Sequence, residues 1–529
     1  MTSTPGRRAA IVLAAVGGLV LGALGAVPGA ATAAPHTTAK QVNAPVPTLD
    51  WSHCSPGSDA MCATAAAPLD YDDPTGATVL LDLVKIPANN PGQKLGTLFV
   101  NPGGPGGSAT QFAPFAGELL GKTVRNRYDV IGIDPRGVGE HSTIVCRATQ
   151  PAPRVRVTFP VTQAQSKQVW RAATWERTAC QQKPNQIVAH MSTADTARDM
   201  DLIRQAVGED HLDYYGISYG TYLGATYAAL FPDRVGRFVV DGVLDPVAWA
   251  TTAGAAAKPF STRINSAQGA YEALTSALTE CDRMGAAHCR LAGDATAKWH
   301  WMIRKAKQGK LRVSGARIAY QDLVDATLYM MYDNTSYRDL ASVLQRVWKK
   351  AHHGKPHKAG DPTAAHLRKM ADRFRDAPYA ARQVKISDAF AGVACADTPN
   401  PTTRAAWWKA GRAQDRQSPW FGSSWTWASA PCAKWPTAYG QDSFRGPFDT
   451  TTANPILVVG NSHDPATPVS GARRFTTLFE GSRFLLMDGW GHGAIGNSCV
   501  TAAFNSYYAD GSLPREGTVC PKDRPLFRR

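Results

Sequence analysis

Acidic residues are scarce in this sequence of 529 residues: 42 Asp and Glu stand against 57 Lys and Arg, for a formal net charge of +15. A balance of that sign suits nucleic acid or an anionic surface. Yet the chain has no zinc-finger spacing, no Walker loop and no aromatic-plus-basic recognition motif, so no nucleic-acid partner is expected. The charge then reads as a solvated cationic face. There is no C-x-x-C pair, and the 13 histidines do not cluster with the cysteines. That argues against a zinc site, and neither metal nor other cofactor is expected. After the N-terminal run Ala9 to Val27, no stretch is apolar and long enough to span a bilayer. No internal repeat is visible.

What is present begins with a targeting signal. Arg7 and Arg8 precede the Gly- and Ala-rich run Ala9 to Val27, and Ala31-Thr32-Ala33 is a small-residue cleavage site. The reading is a signal peptide over 1–33, a flexible leader or pro-segment over 34–49, and a secreted, extracellular protein with no stable membrane insertion after cleavage. Ten cysteines in an exported chain predict disulfides. The simplest pairing joins sequential neighbours: Cys54–Cys62, Cys146–Cys180, Cys281–Cys289, Cys395–Cys432 and Cys499–Cys520.

With 44% hydrophobic residues, the chain can bury a large core. Short apolar runs ended by Gly/Pro turns predict buried parallel strands at 77–87, 96–100, 128–133, 211–215, 235–240, 455–460 and 483–488. Helical periodicity falls between them, as at 196–207, which Asp195 or Thr196 could cap. From about Trp249 to Ser443 strand signals thin out and helical ones dominate. Within that segment Lys and Arg outnumber Asp and Glu by roughly two to one between Arg290 and Lys385. The predicted fold is α/β: a mostly parallel central sheet, core parts at 50–248 and 444–529, and a mainly helical cap inserted at 249–443.

The chemistry centres on Gly216-Ile217-Ser218-Tyr219-Gly220, a G-x-S-x-G run between a strand and a helix. A serine on such a turn stands above the sheet edge, and the glycines leave room for the turn. Serine needs a base, and His492, between Gly491 and Gly493 after the last strand, is the candidate. Asp464 follows the preceding strand and would orient the imidazole. His463 and Asp488 are the rival base and acid. The glycine-dense run Asn101 to Ser108 lacks the Gly-Lys-Ser/Thr ending of a phosphate loop. Its Gly104 N–H, with that of Tyr219, is the candidate oxyanion hole. The order Ser, Asp, His is that of an α/β-hydrolase.

These motifs, with Asp134-Pro135-Arg136-Gly137-Val138-Gly139 and Asp464-Pro465-Ala466-Thr467-Pro468, resemble the secreted tripeptidyl aminopeptidases of the α/β-hydrolase fold. These are relatives of the prolyl aminopeptidases with a distinctive C-terminal region. The resemblance runs from about Leu49 to about Cys520. It implies a serine exopeptidase that releases tripeptides, or other short peptides, from the free N-termini of peptides and proteins. It matches Ser218, Asp464 and His492 to the family's triad and Thr467 to a support for the aspartate. Cys395-Ala396-Asp397 matches a C-x-D pattern, so that Asp397 either holds the substrate ammonium or is a helix-capping or surface-paired aspartate beside a disulfide. The alternative function is a secreted carboxylesterase or lipase-like hydrolase with the same triad. No carboxylate pair that reads the ammonium can be assigned from sequence, and the oligomeric state is not legible.

Overall fold

The computed structural model describes residues 43–527 except 145, 147–149, 156, 183–185, 252–255, 354–361, 377–384 and 436–442. The expected signal peptide and the leader up to residue 42 lie outside the described residues, as does most of the histidine-rich loop at 352–357. Ala44 and Leu49, within the leader expected over 34–49, pack against the core together with Trp51.

Among the described residues, ten strands form one sheet: β1 (Ser52–His53), β2 (Met61–Pro68), β3 (Thr78–Ile86), β4 (Gly96–Asn101), β5 (Tyr128–Ile133), β6 (Leu212–Ile217), β7 (Val235–Asp241), β10 (Leu457–His463), β11 (Arg483–Trp490) and β12 (Val519–Pro521). Between β7 and β10 lies a separate small hairpin of β8 (Arg312–Val313) and β9 (Ala316–Arg317). The spatial order is β1-β2-β3-β5-β4-β6-β7-β10-β11-β12. The first three strands run antiparallel, so the strand expected to be parallel at 77–87 is antiparallel on both sides, and every pairing from β5 to β12 is parallel.

The parallel strands are buried on both faces, which is why they read as unbroken apolar runs. Along β4, Phe99 faces one core while Leu98 and Val100 face the other. Tyr214 and Tyr215 of β6 divide in the same way, as do Val458 and Leu457 of β10. Helices Thr193–Ala206 and Tyr219–Leu230 cover the first face; Ala109–Leu120 and Ser498–Asp510 cover the second. Burying each such Leu, Val or Phe stabilises the fold by about 1.5–3 kcal/mol before entropy is counted.

A third apolar cluster belongs to the insertion. Helices Ser266–Met284, Ala295–Lys307, Tyr320–Met331 and Tyr337–His353 surround Trp299 and Trp407, both fully buried. That cluster also takes Phe159, Val169 and Ala173 from the segment between β5 and β6, where helix Gln163–Gln182 lies. Conversely, Ala391, Val393 and Cys395 of helix Lys385–Asp397 pack on the sheet core. The third cluster therefore includes residues outside 249–443, and part of 249–443 packs on the sheet core.

All five sequential disulfides are formed. Among the described residues, no helix is long and apolar enough to cross a membrane. The Asp134–Gly139 motif is a structural clamp. Arg136, fully buried, pairs with Asp199 and donates to the carbonyls of Pro68 and Leu69. Asp134 accepts from Ser108 Oγ and from the Thr110 N–H, each at 2.9 Å, and so fixes the helix start that follows the glycine-dense run.

Candidate active site

Parallel register brings the chemistry to one edge. Asn101 lies opposite Gly216, Ile217 opposite Asp241, and His463 opposite Trp490. Each candidate therefore sits just beyond a strand's C-terminal end, where such sheets collect their ligands.

Ser218 is the turn between β6 and helix Tyr219–Leu230. It has φ 59° and ψ −126°, a conformation that costs a non-glycine residue energy and marks an elbow. The turn is as tight as the motif implies. A Cβ on Gly216 would come within 2.4 Å of the Gly220 carbonyl, and one on Gly220 within 2.7 Å of the Asn101 carbonyl. The Ser218 N–H is bonded to the Asp241 carbonyl at 3.0 Å, which ties the elbow to the end of β7.

The proposed acid and base meet. His492 Nδ1 lies 3.0 Å from both Asp464 oxygens. Asp464 is buried, and it also accepts from the N–H groups of Ala466 and Thr467 at 2.8 Å and of Gly493 at 3.1 Å. Burial alone would raise its pKa; the facing imidazole and these bonds outweigh it and hold the carboxyl below its usual range. For His492, burial pulls downward, but Asp464 and then Asp241 raise it above the ordinary value. Thr467 supports the pair through its N–H and through Oγ1, 3.3 Å from His492 Nδ1.

The rivals lie elsewhere. His463 stacks on Trp490 with ring centroids 4.6 Å apart, and its Nε2 meets Ser276 Oγ at 3.1 Å. Asp488 is exposed and accepts from Ser462 Oγ.

Ser218 and His492 open into a cavity of about 610 Å³, which Gly103, Gly104 and Thr467 also line. Gly103 brings the loop against the elbow: its φ is +81°, and a Cβ there would sit 2.8 Å from the Tyr219 nitrogen. Tyr219 opens its helix, so its N–H is one of the donors a helix start leaves without an internal partner. The other oxyanion candidate, Gly104, follows Gly103 in the chain and lines the same cavity.

Asp397 is not brought into this cavity. It is buried, with Oδ1 accepting from the Thr193 N–H at 2.8 Å and Oδ2 from Thr193 Oγ1 at 2.7 Å and Trp249 Nε1 at 3.2 Å. Burial pushes its pKa up to about 6. Thr193 Oγ1 in turn meets the Tyr219 hydroxyl. Of the two readings, capping beside the Cys395–Cys432 disulfide matches these contacts, and the ammonium-binding one does not.

Sequence reasoning missed five residues. Asp241, pushed up to about 6 by burial, accepts from the Ala494 N–H at 2.9 Å and Tyr215 hydroxyl at 3.0 Å. Asn461 donates to the Gly491 carbonyl at 2.9 Å. Tyr332 lies against His492 from the cap. Glu176 and Asp325 line the cavity. Their neighbours in sequence carry no motif, so only contact could reveal them. Walls of Phe159, Phe260, Phe390, Trp249, Trp425 and Trp427 make the rest of the cavity largely apolar.

A raised His492 pKa has a direct consequence. If His492 is the proposed base, its imidazole must be neutral to accept a proton, and acidification through its pKa is expected to remove activity. The acid limb of kcat/KM is expected above about pH 6.5, the free-histidine value, with the His492–Asp464 pair titrating as a unit. A limb at or below pH 5 would contradict this assignment.

A serine on a strained elbow, sharing a cavity with a histidine that a buried aspartate orients, on a mostly parallel sheet, is the arrangement of an α/β-hydrolase. Known sequences agree. The model of the alpha/beta hydrolase fold matches residues 96–304, and that of TAP-like protein matches residues 418–520. Carboxylesterase B of Mycobacterium tuberculosis is 32% identical, covering 95% of this chain and 96% of its own. The tripeptidyl aminopeptidase of Streptomyces coelicolor is 28% identical over 89% of this chain and 86% of its own. Serine protease Hip1 of Mycobacterium tuberculosis is also 28% identical, over 89% and 91%. The chain belongs to this family of α/β-hydrolases with a TAP-like C-terminal region, and it is a serine hydrolase.

Proposed function

We propose that this hydrolase is an exported exopeptidase that removes short peptides, in the first instance tripeptides, from free N-termini. One observation carries the reading. In a chain of net charge +15, the cavity beside Ser218 is lined by two carboxylates, Glu176 and Asp325, and, among the described residues, by no Lys or Arg. An apolar wall strengthens the attraction between a carboxylate and an ammonium. Glu176 and Asp325 would take the substrate's terminal ammonium and so place its N-terminal stretch between them and Ser218. The tripeptidyl aminopeptidase relative supports the choice of peptide, and the five disulfides fit an oxidising compartment.

The chemistry would then run in two halves. Ser218 Oγ attacks the scissile carbonyl while His492 takes its proton, and the N–H groups of Gly104 and Tyr219 receive the oxyanion. His492 protonates the leaving amine, leaving the N-terminal fragment as an ester on Ser218. A water, deprotonated by His492, releases it.

The test compares a chromogenic tripeptide amide with its N-acetylated twin and with a single-residue amide. The free tripeptide is expected to be preferred. Glu176→Gln or Asp325→Asn should lower kcat/KM on it by at least about thirtyfold, the cost of leaving a buried charge unpaired, with little change for the acetylated twin. The apolar walls and the carboxylesterase relative favour a second reading, hydrolysis of acyl esters. Equal rates on free and blocked substrates would establish that reading instead.

A further inference from the structure

We propose that Tyr332, on the inserted cap, is a positioning residue for His492, so that the cap completes the catalytic base rather than merely covering the site.

The loop that carries His492 is poorly stiffened by its own sequence. Gly491 and Gly493 flank the histidine, with φ 108° and 76°, and glycine gives a turn freedom rather than rigidity. On the sheet side the loop is held beside the histidine by Asn461 and Asp241, while Asp464, just past β10, takes the Gly493 N–H and the imidazole Nδ1. Asn461 Nδ2 donates to the carbonyls of Gly491 and Gly493, and Asp241 accepts from the Ala494 N–H. The backbone N–H of His492 itself goes to the cap: it donates to the Tyr332 carbonyl at 2.9 Å.

That carbonyl is well placed to accept. Tyr332 closes helix Tyr320–Met331, and the last carbonyls of a helix have no partner within it. The side chain adds a second hold. The Tyr332 ring packs against the imidazole at 5.0 Å between centroids and 68° between planes. This edge-to-face contact stands against rotation of the imidazole away from Asp464. The fit extends to the next turn: a Cβ on Gly491 would meet the Asn334 backbone nitrogen and Cβ at 3.1 Å. Asp333 stiffens that turn by accepting from the Thr335 N–H and hydroxyl and from Ser336 Oγ. The base is therefore gripped by the sheet on one side and by residues 332–334 of the cap on the other.

The experiment measures base-assisted attack without any peptide. A small fluorophosphonate reacts with Ser218: the Oγ–P bond forms, fluoride leaves, and the hydroxyl proton passes to His492. The second-order labelling rate is compared for the wild type, Tyr332→Leu and Tyr332→Phe, beside kcat and KM on the preferred substrate. Tyr332→Leu is expected to slow labelling and lower kcat by the same factor, about tenfold to hundredfold, as a misplaced reacting group does. KM should stay within about twofold, and Tyr332→Phe, which keeps the ring, should restore both rates to within about twofold of wild type. Labelling carried to completion counts only folded sites, so partial misfolding does not distort the rates. Should Tyr332→Leu give no foldable protein, Tyr332→Met fills the space with an adaptable chain and is read in the same way. Unchanged labelling with a raised KM would make Tyr332 a wall residue only and overturn the proposal. So would a Phe variant as slow as the Leu or Met variant. Because labelling needs no peptide, either outcome is independent of whether the substrate is a peptide or an ester.

Discussion

Ser218→Ala is expected to lower turnover by about a millionfold while leaving the fold and substrate affinity in place. The reasoning is local. Alanine keeps the Cβ, so the elbow backbone, its bond to the Asp241 carbonyl and the Thr221 N–H bond to the residue 218 carbonyl are undisturbed. Only the hydroxyl is lost, and the cavity contributes no cysteine to replace it. The two proposed oxyanion donors remain, so a residue of rate, about a thousandfold or more over water, should persist. Kinetics on a chromogenic substrate, with loss of fluorophosphonate labelling as the second readout, decide the matter. Activity within tenfold of wild type would remove the serine mechanism and every role assigned around it.

The second large effect is that of Asp464→Asn. The carboxylate is surrounded by donors on both oxygens: Ala466 and Thr467 N–H on Oδ1, Gly493 N–H on Oδ2, and His492 on both. An asparagine can offer only one acceptor oxygen. If that oxygen faces Ala466 and Thr467, the new NH₂ meets the Gly493 N–H; if it is turned round, the NH₂ meets the other two. Either choice sets donor against donor, and an unsatisfied buried donor costs about 1–3 kcal/mol. The imidazole is also offered the wrong partner for its Nδ1–H. Turnover should fall by about ten-thousandfold. The acid limb should move to lower pH, because the charge that raises the His492 pKa is gone. A drop in rate with no movement of the limb would mean that Asp464 does not face the titrating histidine. Replacing His463 by alanine serves as the control, and should leave turnover near wild type, since its ring stacks on Trp490 and bonds Ser276.

Much of this was legible in the chain before any coordinates. Parallel strands buried on both faces must be apolar throughout, so β4, β5, β6, β7, β10 and β11 announced themselves as short runs ended by turns. β2 did not: its Met-Cys-Ala-Thr-Ala-Ala-Ala-Pro has almost none of the bulky β-branched residues that mark a strand, and it holds its place through full antiparallel pairing with β3. Helix Thr193–Ala206 begins earlier than its periodicity suggested. Its cap is Ser192, whose Oγ accepts from the Asp195 N–H, and not the acid three residues on.

The tryptophans divided as their amphipathic character allows. Trp299 and Trp407 fill the cap core, Trp249 walls the cavity, and Trp425 and Trp427 belong to both. Nothing in their spacing separates the two groups.

What the sequence alone determined is the set of parts whose chemistry is local. A sharp turn needs glycines on either side of the serine, a base loop needs room to approach it, and an acid orienting that base must follow a neighbouring strand. Each of those demands leaves its motif within a few residues of the side chain it serves. What only the tertiary structure decided is which distant side chains share a wall. Glu176 and Asp325 come from helices far apart in the chain, and Asp397 is turned towards Thr193 and Trp249 instead of the cavity. Tyr332 reaches His492 only because the cap folds over the sheet edge. Such contacts depend on how whole helices pack, and helix packing writes only an apolar stripe into sequence, not the identity of the polar group that ends up facing the substrate.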